Sequence, residues 1–206
     1  NQNRSTVVAQ HGMVCAIQPL ATMAGIDVLK AGGNCIDAAI AANAMLGLTE
    51  PASNGIGGDL FAIVWIEADQ QLYGLNASGR APYDWNLTAA HDMGLESIPR
   101  KSPLAWSVPG CVSGWAALSE RFGNLKLGRC LEAAIDYGKN GYPISPIISG
   151  QFRINAKDDP DLAKLYMPDG KHLSYGDIFR NPQLARSLEQ IAQSGAAAYY
   201  EGEIAE

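Results

Sequence analysis

Three stretches carry residue types at spacings that could do chemistry. The first is Gly55-Ile56-Gly57-Gly58, a glycine run of the sort that cradles phosphates. A dinucleotide-binding loop follows a strand, opens a helix and has a third glycine three residues on. Here the run precedes the apolar stretch Leu60–Ile66, and Leu60 stands where that glycine would be. The glycines are therefore expected to supply positive φ angles or close backbone contact before a strand. The second stretch, Gly110-Cys111-Val112-Ser113-Gly114, resembles a nucleophile elbow, but its serine comes one place late and no strand precedes it. Ser113 then reads as a small helix-packing residue. The third is the loop Ser78-Gly79-Arg80-Ala81-Pro82, which holds one guanidinium. Arg80 could read an anionic group, or it could be solvated or paired locally with Asp84.

The remaining candidates do not assemble into a catalytic set. His11, His91 and His172 are scattered, with no partner at ligand spacing, so no metal site is expected. The threonines are Thr6, Thr22, Thr49 and Thr88, and none stands at a chain terminus, where its own amine could serve as base. The cysteines, Cys15, Cys35, Cys111 and Cys130, form no C-x-x-C pair and sit among apolar or small residues. They read as buried small hydrophobes.

The elements that must position the Arg80 loop are legible around it. Leu60–Ile66 reads as an apolar strand, residues 67–70 as a polar turn, and Gln71–Ala77 as the returning strand, which ends on that loop. Upstream, Val7, Val8 and Met13–Ile17 suggest a short strand or hairpin broken at His11-Gly12. Pro19 suits the first turn of a helix that Gly32-Gly33 stops. Asn34 is a plausible N-cap with Asp37 at the third position. The alanine-rich helix Cys35–Leu48 is apolar almost all round, so it should be buried between layers.

Downstream, Asn86 caps a short helix through Met93, and residues 96–109 form a loop with three prolines. Helices are expected from Gly110 to Phe122, through Leu127–Tyr137 closed by Gly138 or Gly141, in a segment from Pro143 to Ile154, and from Asn181-Pro182 to Gly195. Asp158–Tyr166 reads as a short acidic helix or turn. Glu203–Glu206 looks like the start of one more helix with no stop signal, so the chain is expected to be a fragment of a longer polypeptide.

Composition bounds the possibilities. With 206 residues, 47% hydrophobic and 17% charged, the chain has the make-up of a globular domain with a sizeable core. A net charge of −6 without clustered Lys/Arg argues against nucleic acid. No apolar run is long enough to span a bilayer. Residues 1–10 lack the apolar core of a signal peptide, which favours the cytoplasm, although removal of an upstream leader would leave the same sequence.

Against this background the chain resembles the γ-glutamyltranspeptidases. The resemblance rests on Pro19-Leu20-Ala21-Thr22-Met23-Ala24-Gly25, Leu29–Ala39, and Glu50-Pro51 with Gly55–Gly58. It continues through Val108–Trp115, Phe122-Gly123, Asn181–Ala185 and Tyr199-Tyr200-Glu201-Gly202. It implies an α+β, N-terminal-nucleophile hydrolase fold, a four-layer αββα sandwich to which this chain contributes helices and part of the sheets. It implies that residues 1–206 are the large-subunit portion of a single domain, truncated at the C-terminus. The nucleophile would be the N-terminal Thr of a small subunit released from the same precursor, so no catalytic residue is expected in this chain and no cofactor is needed.

In typical members, Arg-Glu-x-Ala-Pro follows the second strand, and that arginine clamps the substrate's α-carboxylate. Aligned on Ala81-Pro82, the clamp position falls on Ser78 and the glutamate on Gly79, while Arg80 lies two positions later. Serine cannot replace a bidentate fork. Ser78, Gly79 and Arg80 are thus the expected substrate-binding residues, and the motif looks like the divergent acylase-like and amidohydrolase-like branch. The implied function is a γ-glutamyltransferase-like amide hydrolase or transferase connected with glutathione metabolism. The alternatives are a glutaryl (cephalosporin) acylase, an oxamate-type amidohydrolase, or a degenerate member that binds without cutting.

Overall fold

The computed structural model describes residues 5–99, 102–156 and 159–206. The chain opens with an extended segment and then helix α1 (Pro19–Lys30), which starts on Pro19 and stops at Gly32 with φ +92°. Helix α2 (Cys35–Thr49) follows with the predicted N-cap. The Asn34 side chain accepts from the amides of Ile36 and Asp37, and the Asp37 carboxylate accepts the Asn34 amide in return. The strands β1 (Leu60–Ile66) and β2 (Gln71–Ala77) pair antiparallel, from Leu60 opposite Ala77 to Ile66 opposite Gln71. The later helices are α3 (Leu87–Asp92), α4 (Cys111–Phe122), α5 (Leu127–Asn140), α6 (Pro146–Ala156), α7 (Pro160–Tyr166), α8 (Pro182–Ser194) and α9 (Ala197–Tyr200).

Helix α2 is the centre of the packing. Ile36, Ile40, Met45 and Leu48 are buried, with α1 on one side and α4 and α5 on others. Small residues set the spacing: a Cβ on Gly25 of α1 would stand 2.8 Å from Val14 and 3.1 Å from the Ala38 carbonyl of α2. Asp37 ties the far ends together. Its fully buried carboxylate also accepts the amides of Asn124 (2.9 Å) and Leu125 (3.3 Å), in the turn between α4 and α5. Three main-chain donors on one carboxylate satisfy a charge that burial would otherwise make costly.

One face of the β1–β2 ribbon lies on α4. Gly114 of that helix permits the contact, because a Cβ there would meet Leu60 at 2.5 Å and Ala77 at 3.0 Å. The opposite face is bare: Phe61, Ile63, Trp65 and Leu72 are 65%, 81%, 50% and 61% exposed. Four large apolar side chains on one sheet face are a surface that a further layer would cover.

Several expectations need correction. Residues 5–17 form no strand, because no ladder partner lies beside them among the described residues. A second ribbon escaped prediction: Tyr142-Pro143 (β3) pairs with Ile178-Phe179 (β4), a bridge of two residues a side that leaves no periodicity to read. Gly141, with φ +91°, closes α5, whereas Gly138 is buried inside the helix against Ala185. Residues 201–205 are turns, not the start of a helix. Asp158 lies outside the described residues, and the helix expected there runs Pro160–Tyr166. Cys111 and Cys130 are buried, but Cys15 and Cys35 are exposed, and all four are free thiols.

Candidate active-site cleft

The predicted loop sits where the end of β2 meets the start of α4. Ser78 donates its amide to Asn76 Oδ1 at 3.0 Å. Gly79 then takes φ +77°, and a Cβ on it would fall 1.8 Å from the Val108 carbonyl oxygen. Only glycine fits there, on conformation and on space alike. The Val108 amide donates to the Arg80 carbonyl at 2.8 Å, and the Ser107 hydroxyl lies 3.1 Å from both the Ser78 carbonyl and Asp59 Oδ1. Residues 107–108 thus form a strut along 78–80.

The strut leads into Pro109-Gly110 and the first turn of α4. Gly110 is another tight position, with its would-be Cβ 2.0 Å from the Ala77 carbonyl oxygen. The amides of Gly110 and Cys111 both donate to the Gly58 carbonyl at 3.0 Å, which joins the glycine loop to the same corner.

An open cleft of about 780 Å³ lies on this corner, lined by Leu75, Ala77, Ser78, Gly79, Arg80, Pro82, Val108, Pro109, Ser113, Ala117 and Tyr200 among others. Most of its wall is apolar. Among the described residues that line it, Arg80 is the only charged one and none is a carboxylate. The structure therefore brings Ser78, Gly79 and Arg80 to one cleft. Among the described residues no ion pair joins Arg80 to Asp84, which removes the local pairing considered from sequence.

Among the described residues no side chain at the cleft is set up as a nucleophile. Ser113 is exposed on the cleft wall instead of packed between helices, and its hydroxyl donates back to the Gly110 carbonyl at 2.8 Å. Cys111 is buried next to the cleft, and desolvation pushes its thiol up to about 12, so it stays protonated at neutral pH. Away from the cleft, Ser149 Oγ lies 3.4 Å from His172 Nε2, but its proton goes to the Leu173 carbonyl at 2.8 Å, which leaves that imidazole no proton to take. No group of three or more His, Cys, Asp or Glu side chains among the described residues could hold a metal ion. No helix among them is long and apolar enough to cross a membrane.

The glycine run behaves differently from expectation. Gly55, Gly57 and Gly58 have no positive φ, and Cβ atoms on Gly55 and Gly57 would meet nothing within 4 Å. They line a small polar hollow with Asn43, Asn54 and Asp59, so neither conformation nor packing within this chain requires them. Reading the residues for chemistry also passed over Ser107, Pro109 and Tyr200, which build the back of the cleft. For Pro109 and Tyr200 the signal was the family resemblance of Val108-Pro109-Gly110 and Tyr199-Tyr200, and Ser107 had none.

Helices packed on one face of an antiparallel ribbon make an α+β arrangement, and its likeness to solved transpeptidase and acylase structures gives it the N-terminal-nucleophile hydrolase fold. The chain belongs to the gamma-glutamyltranspeptidase family, whose model matches residues 21–206. It is 35% identical over 98% of its length to the Glutathione hydrolase-like YwrD proenzyme of Bacillus subtilis, and spans 39% of that protein. Among solved structures it superposes on the cephalosporin acylase of Bacillus halodurans with a TM-score of 0.92, at 40% identity, over all of this chain and 40% of that one. The gamma-glutamyltranspeptidase of Helicobacter pylori superposes with a TM-score of 0.90, at 29% identity, over 98% of this chain and 59% of that one. The chain thus spans about two fifths of the length of the first curated relative it matches.

Proposed function

We propose that this chain is the large-subunit portion of an autoprocessed amide hydrolase or transferase, whose nucleophilic threonine is carried by a small subunit from the same precursor. The exposed apolar face of β1–β2 supports such a partner, because a second layer placed there would bury Phe61, Ile63, Trp65 and Leu72. The relatives named as proenzymes support cleavage of the precursor. In this reading the threonine attacks the amide carbon, its own α-amine takes the hydroxyl proton, and the amine leaves protonated. Water or a second amine then resolves the acyl-enzyme.

One observation carries the choice of acyl group: an apolar cleft with a single guanidinium and no carboxylate among its described lining residues. Arg80 would read a terminal anion, and Leu75, Ala77, Val108 and Ala117 would bury the methylenes leading to it. Among the described lining residues no carboxylate stands ready to pair with an α-ammonium. This favours an acyl chain ending in a carboxylate alone, such as glutaryl, over a γ-glutamyl group.

The test is to incubate the full-length protein with a γ-glutamyl anilide, a glutaryl amide and oxamate. Cleavage of the glutaryl amide and two bands on a denaturing gel are expected. Strong transfer from the γ-glutamyl donor to a dipeptide would refute the acyl assignment, and a single inactive band would refute autoprocessing and point to the binding-only alternative.

A further inference from the structure

We infer that Tyr200 is a positioning residue for Ser78-Gly79-Arg80, acting through Pro109 and the amino end of α4. The inference rests on the reading of that loop as the substrate-facing one.

A helix leaves its first amides without internal partners, and a Ser, Thr, Asp or Asn at the N-cap usually accepts one of them. The N-cap of α4 is Gly110, which has no side chain to do so. The Gly110 and Cys111 amides go to the Gly58 carbonyl, and the Ser113 amide, at the third helical position, goes to Tyr200 Oη at 3.0 Å. The same hydroxyl donates to the Pro109 carbonyl at 2.8 Å. One phenol from 87 positions downstream thus caps the helix and holds the residue in front of it.

Pro109 follows directly on Val108, whose amide bonds to the Arg80 carbonyl and whose own carbonyl oxygen abuts Gly79. Any movement of Pro109 is passed to both sides of the Gly79 turn. Tyr200 also lines the cleft, so its hydroxyl links the wall to the loop that carries the cation.

Tyr199 supplies the control. Its ring stands edge-on to Tyr200 at 5.0 Å, but its hydroxyl donates to the Ile56 carbonyl on the glycine loop, and it does not line the cleft. That bond ends on Ile56, so losing it leaves the Tyr200–Pro109 and Val108–Arg80 hydrogen bonds themselves in place.

The experiment compares Tyr200→Phe with Tyr199→Phe in the full-length protein. Amide hydrogen exchange is followed at Val108 and Ser113, and kinetics are measured with a glutaryl amide and with a neutral butyryl amide. For Tyr200→Phe, exchange at both amides should speed up roughly threefold to tenfold, the scale of one lost hydrogen bond. KM for the glutaryl amide should rise by a similar factor with kcat within about twofold, while KM for the neutral amide stays put. Tyr199→Phe should leave Val108 and Ser113 at wild-type rates. Unchanged exchange in Tyr200→Phe, or equal losses with both amides, would overturn the inference. If the unmodified protein cleaves neither amide, the functional reading fails, and exchange at Val108 still decides whether Tyr200 holds the loop.

Discussion

Replacing Gly79 by alanine should cost far more than its conformation alone explains. A non-glycine residue in the left-handed region costs about 1–2 kcal/mol. At Gly79, φ +77°, the new methyl would in addition fall 1.8 Å from the Val108 carbonyl oxygen, so the strut at 107–108 must move away. That movement breaks the Val108-to-Arg80 hydrogen bond and strains the Ser107-to-Ser78 contact, adding about 1–2 kcal/mol. The expected total is about 3 kcal/mol. Gly94 provides the matched comparison, with φ +67° and nothing within 4 Å of a Cβ, so Gly94→Ala should cost only the conformational part. Urea denaturation of the two variants measures the difference at equal m value. In the active protein, Gly79→Ala should also raise KM for an anionic substrate, and Gly94→Ala should not. If the two variants lose the same stability within about 0.5 kcal/mol, residues 107–108 do not press on the turn and the account of the cleft's back wall is wrong.

Other perturbations test the rest of the structure. Asp37→Ala strips three main-chain amides of their common acceptor and should destabilise the fold by about 3 kcal/mol or more, read by the same denaturation. Arg80→Ala should raise KM for a glutaryl amide well above its effect on a neutral amide; equal effects would make Arg80 structural. Stability should fall as pH rises above about 9. Cys111 and Cys130 are held protonated in the fold, up to about 12 and about 11, mainly by burial, with Asp37 adding to the shift at Cys130. The unfolded chain releases both protons from near the ordinary thiol value of 9.0, so their contribution is complete below that pH and is lost on the way to the folded values. Cys111→Ala should flatten that decline, measured as melting temperature against pH.

Much of the scaffold was legible because its signals are local. Both strands of the Leu60–Ala77 hairpin, the Asn34 cap and the glycine stops at Gly32, Gly123 and Gly195 follow from residue type and short-range geometry. The burial of α2 follows from its lack of a polar face. The β3–β4 bridge was not legible, because two residues a side show no alternation. From sequence Ser113 reads as packing because the elbow pattern around it fails, yet in the fold it is exposed on the cleft wall.

The sequence by itself determined the main helices and the β1–β2 hairpin, the family resemblance and the substitution of Ser78 and Gly79 where a clamp arginine and glutamate usually stand. Tertiary structure alone decided that Ser78, Gly79 and Arg80 share an apolar cleft with the start of α4, and that a tyrosine near residue 200 closes its back. The reason is range. Helix caps, stops and alternation act over a few residues, while the strut at 107–108, the Gly58 carbonyl under α4 and the Tyr200 hydroxyl join parts of the chain 28 to 91 positions apart. Such contacts depend on where packed helices bring the backbone, and residue types alone do not encode that in any short window.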